Sequence, residues 1–424
     1  MYLRIDGRKP VSGVHTVPGN KNAALPMIAA AMLTDEPVVL ENVPDIADVS
    51  VMLDTAKGFG AKVARSEGRV EIHAERIRSA RISAAVASRT RTSFLFAGPI
   101  LARAGAVSLP PPGGDQIGHR RLDTHFAGFE RLGAKTSAGR KSLRLSGQLR
   151  GCRMLLDEAS VTATENILMA SVLAKGRTEI YNAACEPHVQ DLAAMLNSMG
   201  AKISGAGTNL LTVDGVERLH GCTARVGCDY IEAGSYIVAA AVTGGELVLE
   251  GIDAEPFAVM EGAFRRFGVT WTIDDKARTL RYVPKRRLKM RYDLGETIPS
   301  VSDGPWPQFP SDMMSMLIVL ATQTRGTCLF FEKMFESRLY FVDALRQMGA
   351  KIVQCDPHRV VVTGPSPLYG CNVATPDIRA GIALVIAALA ARGKSEISNA
   401  EIIDRGYVAV EKEFARLGAD IIRR

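Results

Sequence analysis

Metal-ligand spacing is missing from this chain of 424 residues: its seven histidines and seven cysteines are dispersed, with neither an HExxH nor a CxxC among them. A protein metal site is therefore not expected. An odd, unclustered set of cysteines also argues against a disulfide framework and fits the reduced thiols of a cytosol. Aromatic residues are scarce, at 6%, and most arginines stand singly. A nucleic-acid surface would need a basic stripe interleaved with stacking rings, so the net charge of +7 points instead to small anionic substrates. The one tight basic run, Lys285-Arg286-Arg287, reads as a solvated face. Long hydrophobic runs are absent too. Ala380 to Ala391 is the longest, and it falls short of the roughly 18 apolar residues a bilayer span requires. The opening MYLRIDGRKP has no apolar core, so no secretory signal, no membrane association and a cytoplasmic location are expected. No GxGxxG follows the first strand, which disfavours a dinucleotide-binding fold.

What is present is a repeat. The phrases GFGAKV, RLGAKT, SMGAKI, RFGVTW, QMGAKI and RLGADI place glycines at Gly60, Gly133, Gly200, Gly268, Gly349 and Gly418, spaced 67 to 81 residues apart. Each phrase reads as an amphipathic helix that stops at a glycine of positive φ and turns into a strand. Upstream of each lies a second, more apolar helix: Asn22–Leu33, Thr92–Ala104, Thr164–Ala174, Glu232–Thr243, Asp312–Thr324 and Asp377–Ala391. Short strands such as Pro37–Val43, Thr178–Ala184 and Ser395–Glu401 join the two helices. The unit is thus roughly β-α-β-α-β-β. A helix that is apolar all round must be buried, so three units would pack their apolar helices inward with strands outside. Six units make two similar α/β domains, consistent with a chain too long for one core.

The N-termini of these apolar helices carry polar residues suited to anions. Asp, Ser and Thr there can be simple caps, and capping accounts for Thr164 and Asp312; an exposed lysine with Asn22 as cap is the corresponding plain reading of the first helix. Capping does not account for Lys21, Arg91 or Arg379, because a cation near a helix N-terminus is mildly unfavourable.

The ordered set PGNKNAALP (Pro18–Pro26), RTSFLFAGPILAR (Arg91–Arg103), PGGDQIGHRRLDTH (Pro112–His125), EPHVQDL (Glu186–Leu192), FPSDM (Phe309–Met313), FESR (Phe335–Arg338), PDIRAG (Pro376–Gly381) and IDRGY (Ile403–Tyr407) resembles the UDP-N-acetylglucosamine 1-carboxyvinyltransferase family along essentially the whole chain. The related 5-enolpyruvylshikimate-3-phosphate synthases carry GNAGT and KExDR segments that are absent here. The resemblance implies an inside-out α/β barrel in two domains, 21–229 and 1–20 plus 230–424, with the active site in the cleft between them and closure on substrate binding. It implies transfer of the enolpyruvyl group of phosphoenolpyruvate to the sugar 3′-hydroxyl, through a tetrahedral intermediate and with loss of phosphate, as the first committed step of peptidoglycan synthesis. No cofactor is implied, and the oligomeric state is left open. The same chemistry on another nucleotide sugar or secondary metabolite, and a non-catalytic UDP-sugar-binding paralogue, are the alternatives.

Residue by residue, the resemblance implies that Lys21 contacts phosphoenolpyruvate, Asn22 the sugar and Arg120 the phosphate. It gives Arg379 and Arg405 the carboxylate of phosphoenolpyruvate, with Arg91 and Arg338 as further substrate-side cations. Asp312 is the implied base for the hydroxyl, and Asp377 either orients neighbouring donors or serves as an N-cap. Arg121, Leu122, Asp123, Thr124, Ser160, Val161 and Thr162 would line the uridyl side, and Met334 with Phe335 would either close over the uridyl or sugar region or pack as core under the FESR turn. Two residues there depart from the family pattern: Glu158 where a lysine is common, and Arg121 where a proline is. His125 is read as a structural histidine. Asp115 stands where many members carry cysteine. A carboxyl group with a raised pKa can still deliver a proton, but it cannot form the thioether by which fosfomycin inactivates the thiol enzymes.

Overall fold

The computed structural model describes residues 1–424 apart from 83–88, 114–117, 119 and 141. Two compact units emerge: Met1–Pro18 with Cys228–Arg424, and a second drawn from within Gly19–Gly227.

All six glycines of the repeated phrase have positive φ, between 80° and 113°. Each lets the chain leave a helix and enter a strand without the steric penalty that a Cβ would meet there. The apolar helices run Lys21–Ala30, Ala97–Ala104, Val161–Ser171, Tyr230–Thr243, Ser311–Gln323 and Ile378–Ala390. The last is buried at nearly every position, from Ile378 to Leu389. In the C-terminal unit Tyr230–Thr243, Ser311–Gln323 and Ile378–Ala390 pack on one another, and the sheets lie outside them. This is the inside-out α/β arrangement that the repeat implied.

The helix expected over Thr92–Ala104 is divided. Arg91–Phe96 is a 3₁₀ turn and the α-helix begins at Ala97. Pro99 supplies the reason: it has no N–H to donate back to Leu95, so the turn before it tightens. Gly98 lets this helix touch Val161–Ser171, since a Cβ there would lie 2.4 Å from the Asn166 carbonyl oxygen.

Among the described residues there are six sheets, five of four strands and one of three. Each four-stranded sheet joins one parallel pair to antiparallel neighbours, as in Arg153–Leu155 parallel to Arg177–Tyr181, which pairs antiparallel with Leu210–Asp214. In the three-stranded sheet a single parallel bridge, Arg81 to Ser108, takes the place of the fourth strand. The N-terminus serves two sheets of the C-terminal unit. Tyr2–Asp6 lies between Lys394–Ser398 and Asp420–Arg423, and Gly13–Thr16 runs parallel to Leu247–Glu250. No helix among the described residues is long and apolar enough to cross a membrane.

Candidate active site

In the C-terminal unit, two helix starts and one turn bring three charged side chains together. Asp312 is the second residue of Ser311–Gln323 and Arg379 the second of Ile378–Ala390. Arg338 opens the short turn Arg338–Phe341. One carboxylate oxygen of Asp312 accepts from Arg338 Nη2 at 3.0 Å, and the other from Arg379 Nε at 3.0 Å and Nη2 at 2.9 Å. Both guanidiniums are buried, while the Asp312 side chain keeps 28% of its exposure. Arg379 also donates to the Tyr407 hydroxyl at 3.4 Å, which is hydrogen-bonded to Ser235 at 2.9 Å. Burial opposes the charge on Arg379, but Asp312, Tyr407 and Asp229 outweigh it, and its pKa is raised. The cost of a cation at a helix N-terminus is thereby offset by an anion fixed beside it.

Asp312 does not cap its helix. The cap position is Pro310, without a side-chain bond, because the chain becomes helical one residue before the aspartate and its carboxylate turns to the arginines. Asp377 does cap, accepting from the N–H groups of Arg379 at 2.8 Å and Ala380 at 3.0 Å. It holds the backbone from which Arg379 projects. Arg405 is half-buried at the end of the turn Ala400–Arg405. Met334 is 38% exposed.

In the other unit Lys21 is the first residue of its helix and forms an ion pair of 2.7 Å with Asp48. Both are buried. The cap of this helix is Asn20, whose side chain accepts from Asn22 N at 2.7 Å and Ala23 N at 3.3 Å. Asn22 is therefore not the cap, and its side chain starts from inside the first turn.

Arg91 Nη2 donates to the carbonyl oxygens of Arg120 at 2.5 Å and Arg121 at 3.2 Å. Burial first, and the charge of Arg120 second, lower its pKa to about 10. Arg91 thus buttresses the chain that leads into the helix Asp123–Arg131. Arg120 and Leu122 on that chain are half-buried, and exposed Arg121 pairs with Asp123 at 3.0 Å. Thr124 is buried and donates to Asp157 at 2.6 Å.

Ser160 caps Val161–Ser171 by accepting from Ala163 N at 3.5 Å. Thr164 is no cap: its hydroxyl accepts from Ala184 N at 2.9 Å. On the same helix, Asn166 Oδ1 accepts from Gly98 N at 2.8 Å, which fixes the amide so that Nδ2 donates to Phe94 O at 2.9 Å and meets His125 Nδ1 at 3.2 Å. Nδ1 must then be the acceptor, so the proton sits on Nε2 and is donated to Thr162 Oγ1 at 3.2 Å. Burial, aided by Arg91, pushes the His125 pKa down to about 3. His125 is a neutral, fixed spacer that leaves the hydrogen of the Thr162 hydroxyl to donate elsewhere.

Asp115 lies outside the described residues, so its surroundings are not part of this site. Sequence reasoning missed Asp48, Asp157, Asn166, Ser235 and Tyr407. A paired signal existed only for Tyr407, within IDRGY; the others become partners only once the helices are packed.

The EPSP synthase family model, described as EPSP synthase (3-phosphoshikimate 1-carboxyvinyltransferase), matches residues 5–414. UDP-N-acetylglucosamine 1-carboxyvinyltransferase of Borrelia garinii subsp. bavariensis is 51% identical over 419 residues, covering 98% of this chain and 97% of its own. Its counterpart from Treponema pallidum is 50% identical over 420 residues, with 99% and 98% covered. That from Bradyrhizobium diazoefficiens is 47% identical, with 99% and 97% covered. Among solved structures, the enolpyruvyl transferase NikO from Streptomyces tendae superposes with a TM-score of 0.89 at 24% identity, over 99% of this chain and 98% of that one. EPSP synthase from Acinetobacter baumannii superposes at 0.77 and 20% identity over the whole of both. At these identities the two structures speak for the fold alone.

Proposed function

The chain belongs to the EPSP synthase family, among the UDP-N-acetylglucosamine 1-carboxyvinyltransferases, and from that premise we infer that it makes enolpyruvyl-UDP-N-acetylglucosamine. It transfers the enolpyruvyl group of phosphoenolpyruvate to the sugar 3′-hydroxyl with release of phosphate, in peptidoglycan synthesis. The observation that carries this is relatedness near 50% along the full length of the chain.

The proposed roles follow the chemistry. Addition forms a bond from the sugar oxygen to C2 of phosphoenolpyruvate while C3 gains a proton and the hydroxyl loses one. Elimination removes a proton from C3 and breaks the bond to phosphate. Asp312 takes the hydroxyl proton. Its carboxylate is held by Arg338 and Arg379 and keeps 28% of its side-chain exposure, which leaves it open to a substrate hydroxyl. Asp115 protonates C3. Lys21 and Arg120 hold the phosphate, and Arg379 and Arg405 hold the carboxylate; fixed cations in a water-poor site stabilise these charges far more than water does. Asn22 orients the sugar, and Arg338 keeps Asp312 aligned. Arg121 to Thr124, Ser160 to Thr162 and Met334 take the nucleotide, with Arg91 bracing the carbonyls of Arg120 and Arg121. Working on soluble small-molecule substrates, the enzyme acts in the cytoplasm.

The test is phosphate release from phosphoenolpyruvate with a panel of UDP-sugars, followed by product mass. Phosphate with UDP-N-acetylglucosamine and a product carrying the added enolpyruvyl mass is expected. Release only with a different acceptor, which the Glu158 and Arg121 departures would then explain, refutes the assigned acceptor; release with none refutes the activity.

A further inference from the structure

Beneath the Asp312 cluster lie two carboxyl groups that the reaction does not use. Glu332 and Asp303 are both fully buried. Glu332 Oε1 accepts from the Ser311 hydroxyl at 2.8 Å and from Phe335 N at 3.2 Å. Asp303 Oδ1 accepts from Lys333 N at 2.5 Å, while its Oδ2 is buried without a donor among the described residues. The Lys333 bond ties Asp303 to the residue next to Glu332, so two buried carboxyl groups share one neighbourhood, where Asp303 disfavours the charged form of Glu332. Two carboxylates offer only acceptors and repel each other, so the pair is favoured there when one carries a proton.

The attachments of this pair matter. Ser311 begins the helix whose next residue is Asp312, and that helix has a proline at its cap and no side-chain capping bond. Phe335 belongs to the turn that ends at Arg338: its carbonyl accepts from Arg338 N at 3.2 Å, and its ring lies 5.0 Å from the guanidinium. One carboxyl group therefore fastens the bases of both residues that meet at 3.0 Å above it.

We propose that Glu332 and Asp303 form a one-proton carboxyl pair that sets the orientation of Asp312 and Arg338, making Glu332 a positioning residue for the reaction. The charged neighbours agree with a single proton. Arg338 favours ionisation of Glu332, but burial and Asp303 outweigh it and push its pKa up to about 9. His358 binds the Glu332 carbonyl through Nδ1 at 2.7 Å, and the Lys333 ammonium lies over the Phe331 ring at 5.6 Å. Neither contact engages the Glu332 carboxyl. When the proton leaves, two carboxylates share a buried site and the anchor under Ser311 and Phe335 is strained.

The proposal rests on the assignment of Asp312 and Arg338 to the reaction, and the experiment separates the two. We would measure kcat at about pH 7.5 and about pH 9.5 for wild type, Glu332→Gln, Glu332→Ala and Asp312→Asn. Glutamine reproduces the protonated acid, uncharged beside Asp303 and accepting from Ser311. It should keep at least about half of kcat at the lower pH, where Glu332→Ala falls at least about tenfold. With a pKa of about 9, only about a quarter of the pair keeps its proton at the higher pH. Wild type should therefore lose about fourfold more than Glu332→Gln across the interval. Parallel profiles for wild type and Glu332→Gln, or a Glu332→Gln enzyme as impaired as Glu332→Ala, would overturn the pair while Asp312→Asn remains impaired. An Asp312→Asn enzyme with wild-type kcat would remove the underlying assignment, and the proposal with it.

Discussion

Asp312→Asn is the sharpest perturbation of the candidate site, because the amide keeps the shape and removes only the charge. In the native cluster one carboxylate faces two buried guanidiniums over three contacts of 2.9 to 3.0 Å. Removing one partner of a fully buried ion pair costs about 3–5 kcal/mol, since it strands the other charge. Asp312 keeps 28% of its side-chain exposure, so water screens part of the loss and about 2–3 kcal/mol is a fair magnitude. For a unit of about 200 residues this lowers the melting temperature by roughly 5–10 °C. Two anion-seeking guanidiniums then remain, so millimolar phosphoenolpyruvate should raise the melting temperature of Asp312→Asn more than that of wild type. Turnover should fall by about a hundredfold or more, the scale of a lost general base. Differential scanning fluorimetry with and without phosphoenolpyruvate, beside a phosphate-release assay, reads all three quantities. A variant that melts within about 1 °C of wild type and turns over within about threefold would refute both the electrostatic and the catalytic reasoning.

Two further expectations concern the other unit. Fosfomycin should leave the wild-type enzyme active, and Asp115→Cys should become inactivated with time; progressive inactivation of wild type would contradict the proton-donor role of a carboxyl there. His125 should not titrate between about pH 5 and 8 by NMR, since its folded pKa lies near 3. The unfolded chain takes up that proton below about pH 6.5, so stability falls as pH drops from there toward 3, on the order of 2 kcal/mol by pH 5. His125→Gln should flatten this slope, and equal slopes would show that His125 is not its source.

The repeat was legible because it depends on local rules. A glycine that must adopt positive φ at Gly60 or Gly349, and a helix apolar on every face such as Ile378–Ala390, leave marks in any sequence. The choice of partner for each polar group was not legible. Asp48 reaches Lys21, and Asp312 divides itself between Arg338 and Arg379, only after helices far apart in the chain have packed. Capping fell between these cases. Asn20 and Asn22 are equally good caps by type, but Asn20 has the extended backbone (φ −65°, ψ 123°) that aims its side chain at the free N–H groups. The split at Phe96 and Ala97 could have been read from Pro99.

The pairing of Tyr2–Asp6 with strands at Lys394–Ser398 and Asp420–Arg423 sets a schedule for synthesis. The strand at Tyr2–Asp6 cannot find its neighbours until Lys394–Ser398 and Asp420–Arg423 are made, some 400 residues later, which at about 5–20 residues per second is roughly 20–80 s. The intervening unit can complete itself in that time, while the N-terminal segment waits as an unpaired β-former. Its composition suits the wait: Arg4, Arg8, Lys9 and Pro10 are the charges and proline that keep a lone strand from recruiting others. Neutralising those positions should therefore lower soluble yield in cells far more than it lowers the stability of the finished enzyme.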